Sequence, residues 1–402
     1  MADVISSGPD RAPSPERLGP WPAPSRWRPP AWLVVVALAV GLTAGVRLFG
    51  GLPDRGSAVP TATPRPLAGP PARFTLDAPA GPVPAGLRLL IGGLRPSTVD
   101  VGGGGVRPLP GSAATGAQSV DVTRSGSTTV VVVRAGSVSP PLAAYAYPDG
   151  GRRVSFGPGL DTVVAAGGAG YAAAALSGVQ IRTNLVGFDA AGRVRWHSSV
   201  PGTARVLQAA GDEVLLFVLP NTVTAQGSVL LLDGPTLEVR RTFPSVGLVL
   251  ASTDQRVAWL PFACEPTCSV SVGELSSGTV RSFPVPPGPR PVGAAFEPGG
   301  QHLALSFAGI DDNPLAPTVT ELSGYVGVLD LSTGRLARMP DLTTPADQAA
   351  TLAWMAGDLL AGVADARVGD RVLVWRLRDE GPTVLPLTLP LYSASSYLAV
   401  LP

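Results

Sequence analysis

The chain has no lysine. All 30 of its basic residues are arginine, against 29 acidic residues, for a net charge of +1. The two cations differ too much in chemistry for a functional rule to exclude one everywhere. The absence, with the scarcity of isoleucine, therefore reads as coding bias of a GC-rich, actinobacterial-type genome. No long basic run follows residue 60, so the concentrated phosphate-neutralising surface of a nucleic-acid binder is excluded. Charge as a whole is sparse at 15%. With 49 glycines and 44 prolines that would suggest disorder in a polar chain, but 45% of the residues are hydrophobic, much of it Val, Leu and Ala in short runs. Long helical periodicity is missing after residue 87, which leaves a turn-dense β protein.

What is present is a repeat. Two apolar residues, often an acid, a Ser/Thr/Gly turn and another apolar run recur as Val328-Leu329-Asp330-Leu331-Ser332-Thr333-Gly334-Arg335-Leu336, as Gly187-Phe188-Asp189-Ala190-Ala191-Gly192-Arg193-Val194, and as Val272-Gly273-Glu274-Leu275-Ser276-Ser277-Gly278-Thr279-Val280. The turns at Gly151, Gly192, Pro235, Gly278, Gly334 and Gly381 lie 41, 43, 43, 56 and 47 positions apart. That is the length of a four-stranded propeller blade. Six such modules run from Ser119 to Pro390, and Leu87 to Leu109 offers three further strands. The apolar run Ser396 to Leu401 resembles the inner strand of the other modules. The expected fold is all-β: a seven-bladed β-propeller of four-stranded blades over residues 87–402, its ring closed by the C-terminal strand pairing with the N-terminal blade. Six blades plus a cap is the competing count.

Arg371-Val372-Leu373-Val374-Trp375-Arg376-Leu377 resembles the Trp-Asp strand of WD40 repeats, with Arg376 in the place of the Asp. Phe296-Glu297-Pro298-Gly299-Gly300 is similar to the Phe-Ser-Pro-Asp-Gly turn of WD40-like and TolB-like propellers, and Asp189 to Trp196 to a blade of the quinone-type repeat. The Trp-Asp dipeptide, the Gly-His pair and a quinone ligand set are missing. The resemblance implies a rigid platform for partners and no cofactor.

Ahead of the repeats, Ala31 to Val46 is uncharged and apolar, and Leu48 to Leu52 extends it past Arg47. With Arg11, Arg17, Arg26 and Arg28 before it, this reads as one transmembrane helix over 31–52. It would follow a disordered cytoplasmic tail, 1–30, and precede a Pro-rich extracytoplasmic linker, 53–86. A single-pass anchor in the cell membrane with the propeller outside is the expectation. A cleaved signal peptide and a buried helix fit the flanking residues less well.

Few residues carry chemistry. Cys264 and Cys268, in C-x3-C spacing, read as a local disulfide. His197 and His302 fall on different blades, so no zinc site forms. Asp311, Asp312 and Asn313, with Glu321, occupy the longest loop. They are the candidate binding rim, because that loop and the cysteine loop join the same pair of strands in adjacent blades. Trp196, Trp259, Trp354 and Trp375 read as packing residues. No catalytic, cofactor or metal residue is assigned. The expected function is a non-catalytic platform for a protein or ligand, the protein unidentified; a hydrolase or glycan-active enzyme at the channel, and a subunit of an envelope complex, are the alternatives.

Overall fold

A computed structural model describes residues 75–76, 78–93, 95–110, 119–134, 141–177, 181–219, 226–262, 268–308, 323–344, 349–363, 371–379, 381–386 and 397–402. The chain divides into units of 1–67 and 68–402, and every described residue lies in the second.

Runs such as Thr128–Arg134 are buried at almost every position, because each faces a neighbouring sheet on both sides and strict alternation is lost. Five sheets have four strands and one has seven. The seven-stranded sheet is two blades that share Val239–Ser252. Val239 to Phe243 of that strand pairs with Gly227–Asp233, and Leu248 to Ser252 pairs with Arg256–Pro261. Ser245, at φ 60, turns the chain between the two. The outcome is seven four-stranded units, numbered here as blades 1 to 7 in chain order. Their inner strands are Leu398–Leu401, Ser119–Ser125, Thr162–Ala165, Thr203–Ala210, the second half of Val239–Ser252, Arg290–Phe296 and Thr351–Met355.

Blade 1 takes its inner strand from the end of the chain: Leu398–Leu401 pairs antiparallel with Arg88–Ile91. The buried apolar residues form seven clusters, one in each seam between successive blades. These include the seam of blades 7 and 1 (Leu89, Ile91, Leu360, Val374, Leu398) and that of blades 1 and 2 (Leu90, Val120, Val131, Leu401). The described residues form a closed β-propeller. At roughly 1.5–3 kcal/mol per fully buried large aliphatic side chain, these seams are the main source of its stability.

The antiparallel order gives the ring two faces. The turn face carries the inner-to-second and third-to-outer turns. The connection face carries the second-to-third connections and the passages from one blade to the next. On the turn face a recurring hydrogen bond ties the two turns of a blade: Gly234 N–H to Asp212 O, Leu275 N–H to Gln255 O, and Leu331 N–H to Gln301 O, at 2.8–2.9 Å. Between blades, outer-strand arginines donate to the next blade's turn, Arg241 to Ser276 O at 3.0 Å and Arg281 to Ser332 O at 3.4 Å.

The segment before blade 1 is also fastened. Gly81 N–H donates to Val384 O and Val384 N–H to Pro79 O, both at 2.9 Å, so the described end of the Pro-rich stretch covers the outer edge of blade 7.

The expectation of a transmembrane helix, and with it a cell-membrane location with the propeller outside, is corrected. The described residues contain no helix at all, and so none long and apolar enough to cross a membrane. The stretch on which it rested, 31–52, lies outside the described residues.

Candidate functional site

The site is the channel enclosed by the inner strands of blades 2 to 5. Their sequences alternate small apolar residues with isolated polar ones, as in Ser119-Val120-Asp121-Val122-Thr123. β-bulges shift the register at Val206/Gln208 in blade 4, at Val246/Leu248 and Val249/Ala251 in blade 5, and at Pro291/Gly293 in blade 6. Each bulge adds a residue and re-aims its neighbours. Leu207 and Leu250 thereby join the wall of a cavity of about 490 Å³.

One guanidinium organises the connection-face side of this cavity. Arg134, with a side chain only 12% exposed, bonds Asp121 Oδ2 through Nε at 3.0 Å and Asp161 Oδ1 through Nη1 at 3.3 Å. Its Nη2 donates to Asp161 O at 2.7 Å. The other oxygen of Asp161 accepts the Leu176 N–H at 2.6 Å. Towards the turn face, Gln208 crosses between blades, its Nε2 donating to Ser252 O at 3.2 Å and its Oε1 accepting the Ser125 hydroxyl at 3.4 Å.

Tyr397 stands in the wall as the clasp of the ring. Its carbonyl accepts Gly92 N–H at 2.7 Å and its hydroxyl accepts Arg124 N–H at 3.0 Å. A Cβ on Gly92 would lie 2.6 Å from the Tyr397 Cβ, so only glycine fits there. Burial pushes the Tyr397 phenol above its ordinary value, with the Arg124 N–H opposing. Arg205 also lines the cavity. It is exposed, and its side chain makes no hydrogen bond or ion pair among the described residues.

Of the residues singled out from sequence, none of those described lines the cavity. Asp311, Asp312, Asn313, Glu321 and Cys264 lie outside the described residues. Cys268 is disulfide-bonded, and no described cysteine is free. His302 sits on the turn face of blade 6, its Nδ1 2.7 Å from Glu297 Oε2, and His197 is on the outer strand of blade 3. Neither lines the cavity. Trp259, Trp354 and Trp375 are buried in seams. Trp196 is clamped between Gly187 and Gly234, its Nε1 donating to Asp212 at 2.9 Å. Among the described residues no group of His, Cys, Asp or Glu could hold a metal ion.

Sequence reasoning missed Asp121, Arg134, Asp161, Arg205 and Tyr397. For the four charged residues the signal available was a charge interrupting or abutting an apolar strand, where a packing role alone would favour none; Tyr397 carried no such mark.

No protein-family model matches the chain, and no curated protein matches it in sequence. Solved structures do match. A prolyl endopeptidase, from a structural and mechanistic study of two such enzymes, aligns at TM-score 0.51 and 13% identity over 76% of this chain and 46% of its own. The chain thus spans under half of that endopeptidase. The β-propeller domain of the tri-lobed protease from Pyrococcus furiosus aligns at 0.46 and 10% identity, covering 67% of this chain and 84% of that one. A chain of the mitotic checkpoint complex aligns at 0.46 and 15% identity, covering 82% and 100%. These are likenesses of fold alone.

Proposed function

We propose that the protein is a non-catalytic platform that receives a protein or other ligand on its connection face. The observation that carries this is the placement of exposed apolar side chains. Of the eleven large ones among the described residues, Leu142, Leu176, Ile181, Leu219, Leu248, Phe262 and Val292 stand at the connection-face ends of strands in blades 2 to 6. The other four, Val106, Val194, Val239 and Val280, sit singly at the start of outer strands. Scattered single residues need no explanation, whereas an apolar set gathered on one face marks an interaction surface. Ile181 adds weight: its φ of 43 strains a β-branched residue, yet its side chain is 49% exposed and so is not repaid by burial.

The connections bearing Asp311, Asp312, Asn313 and Glu321, and bearing Cys264, join second to third strands of blades 6 and 5. They are proposed as the rim of this face. A hydrolase at the channel is the weaker reading, because Asp161 has both carboxylate oxygens engaged and no histidine lines the cavity.

The test is quantitative capture of bound proteins by wild type, by a Leu219→Ser/Phe262→Ser variant, and by a Val194→Ser/Val280→Ser control. The first variant is expected to lose a partner that the control keeps. Equal capture by all three would refute the reading.

A further inference from the structure

We infer that the channel cavity takes the carboxylate end of an apolar ligand, with an extended peptide C-terminus as the fitting chemistry. This rests on the connection face being the binding face, and it deepens that reading by naming what enters. The walls are chiefly aliphatic, from Val122 and Val163 through Val206 to Leu248 and Val249. The volume, about 490 Å³, is that of a small-ligand site.

Two donors in this wall are uncommitted. Arg205 has no anionic or hydrogen-bonding neighbour among the described residues, and the Tyr397 hydroxyl, although it accepts from Arg124, has no acceptor for its own proton there. The acids in the same wall are engaged. Arg134 lies between Asp121 and Asp161, and the second oxygen of Asp161 holds the Leu176 N–H. A planar guanidinium matches a carboxylate through paired N–H donors, while the aliphatic wall receives the side chains next to it. Bare inorganic anions lack that second half.

The test uses the full chain and N-acetyl-Leu-Val-Leu as free acid and as amide, titrated calorimetrically. Acetylation removes the ammonium, so Asp121 cannot account for binding. The acid is expected to bind at least about tenfold tighter than the amide, Arg205→Ala to abolish that preference, and Arg205→Lys to keep part of it. Arg205 is exposed, so unchanged thermal unfolding of the variants will show that folding is intact.

Equal affinity for acid and amide, or a preference that survives in Arg205→Ala, would overturn the carboxylate assignment and leave the rim reading standing. No binding of either peptide to wild type would overturn the cavity as a ligand site. Loss of partner capture in the Leu219/Phe262 variant would still uphold the face.

Discussion

On the turn face, Asp189, Asp233 and Asp330 each close a turn with their own carboxylate. Asp330 alone accepts from Ser332 N–H at 2.7 Å, the Ser332 hydroxyl at 2.6 Å and Thr333 N–H at 3.1 Å. On the connection face, Ile181, Leu219 and Phe262 are about half exposed, and the Arg205 side chain makes no hydrogen bond or ion pair among the described residues. Among the described residues, the turns of one face engage their polar groups locally, while the strand ends of the other carry partly exposed apolar side chains and Arg205, alongside the paired Arg134, Asp121 and Asp161. Packing in the seams and the hydrogen-bonded turns hold the ring together.

The largest expected break in that contrast comes from Gly170 in the inner-to-second turn of blade 3. Its φ is 133, and a Cβ there would lie 1.9 Å from the Phe188 carbonyl oxygen, a backbone atom that cannot swing aside. Gly170→Ala should destabilise the protein by about 3 kcal/mol or more, or prevent folding. Urea unfolding of the soluble fraction measures it. A loss below about 1 kcal/mol would show that the turn face yields more than its geometry implies.

Ile181→Gly should act in the opposite sense. Relief of the left-handed strain on a β-branched residue offsets the added chain entropy, so stability should stay level or rise by up to about 1 kcal/mol, while partner capture falls. A drop of more than about 1 kcal/mol would mean that Ile181 is a structural residue, and the contrast between the faces would lose its sharpest example.

How far the sequence disclosed this follows the same division. The propeller was legible because the turn face repeats: Asp330 and Glu274 head matching turns, and each reads the same way wherever it recurs. The apolar run ending at Leu401 was legible as a strand because blade 1 offered three strands where the others had four. The channel was not legible. A bulge at Val206/Gln208 leaves no mark on composition, and Tyr397 meets Arg124 across 273 positions of chain. The apolar run at 31–52 suggested a spanning helix, but the described residues hold no helix and that stretch lies outside them. Local chemistry repeated many times can be read from sequence, but single long-range contacts cannot.

The smallest expected effect probes whether the turn face owes its order to ionised carboxylates. The Ser332 hydroxyl, then the Thr333 and Ser332 N–H groups, hold the Asp330 carboxyl well below the usual carboxylate range, and Thr236 lowers Asp233 in the same way. A carboxyl whose folded value is depressed contributes stability that is fully present above the unfolded value, about 3.9, and lost as pH falls through the folded one. Asp330→Ala should therefore lower the Tm at neutral pH by less than Gly170→Ala does, the turn being exposed. The gap from wild type should stay constant down to about pH 4 and close only below it. A gap that closes between pH 7 and pH 5 would assign the effect to another group. A gap still open at pH 2 would be consistent only with a folded value lower still, or with a neutral Asp side chain capping the turn as well as the charged one. Protein with Asn at 330 separates these two, since the amide keeps the neutral acceptor and cannot titrate.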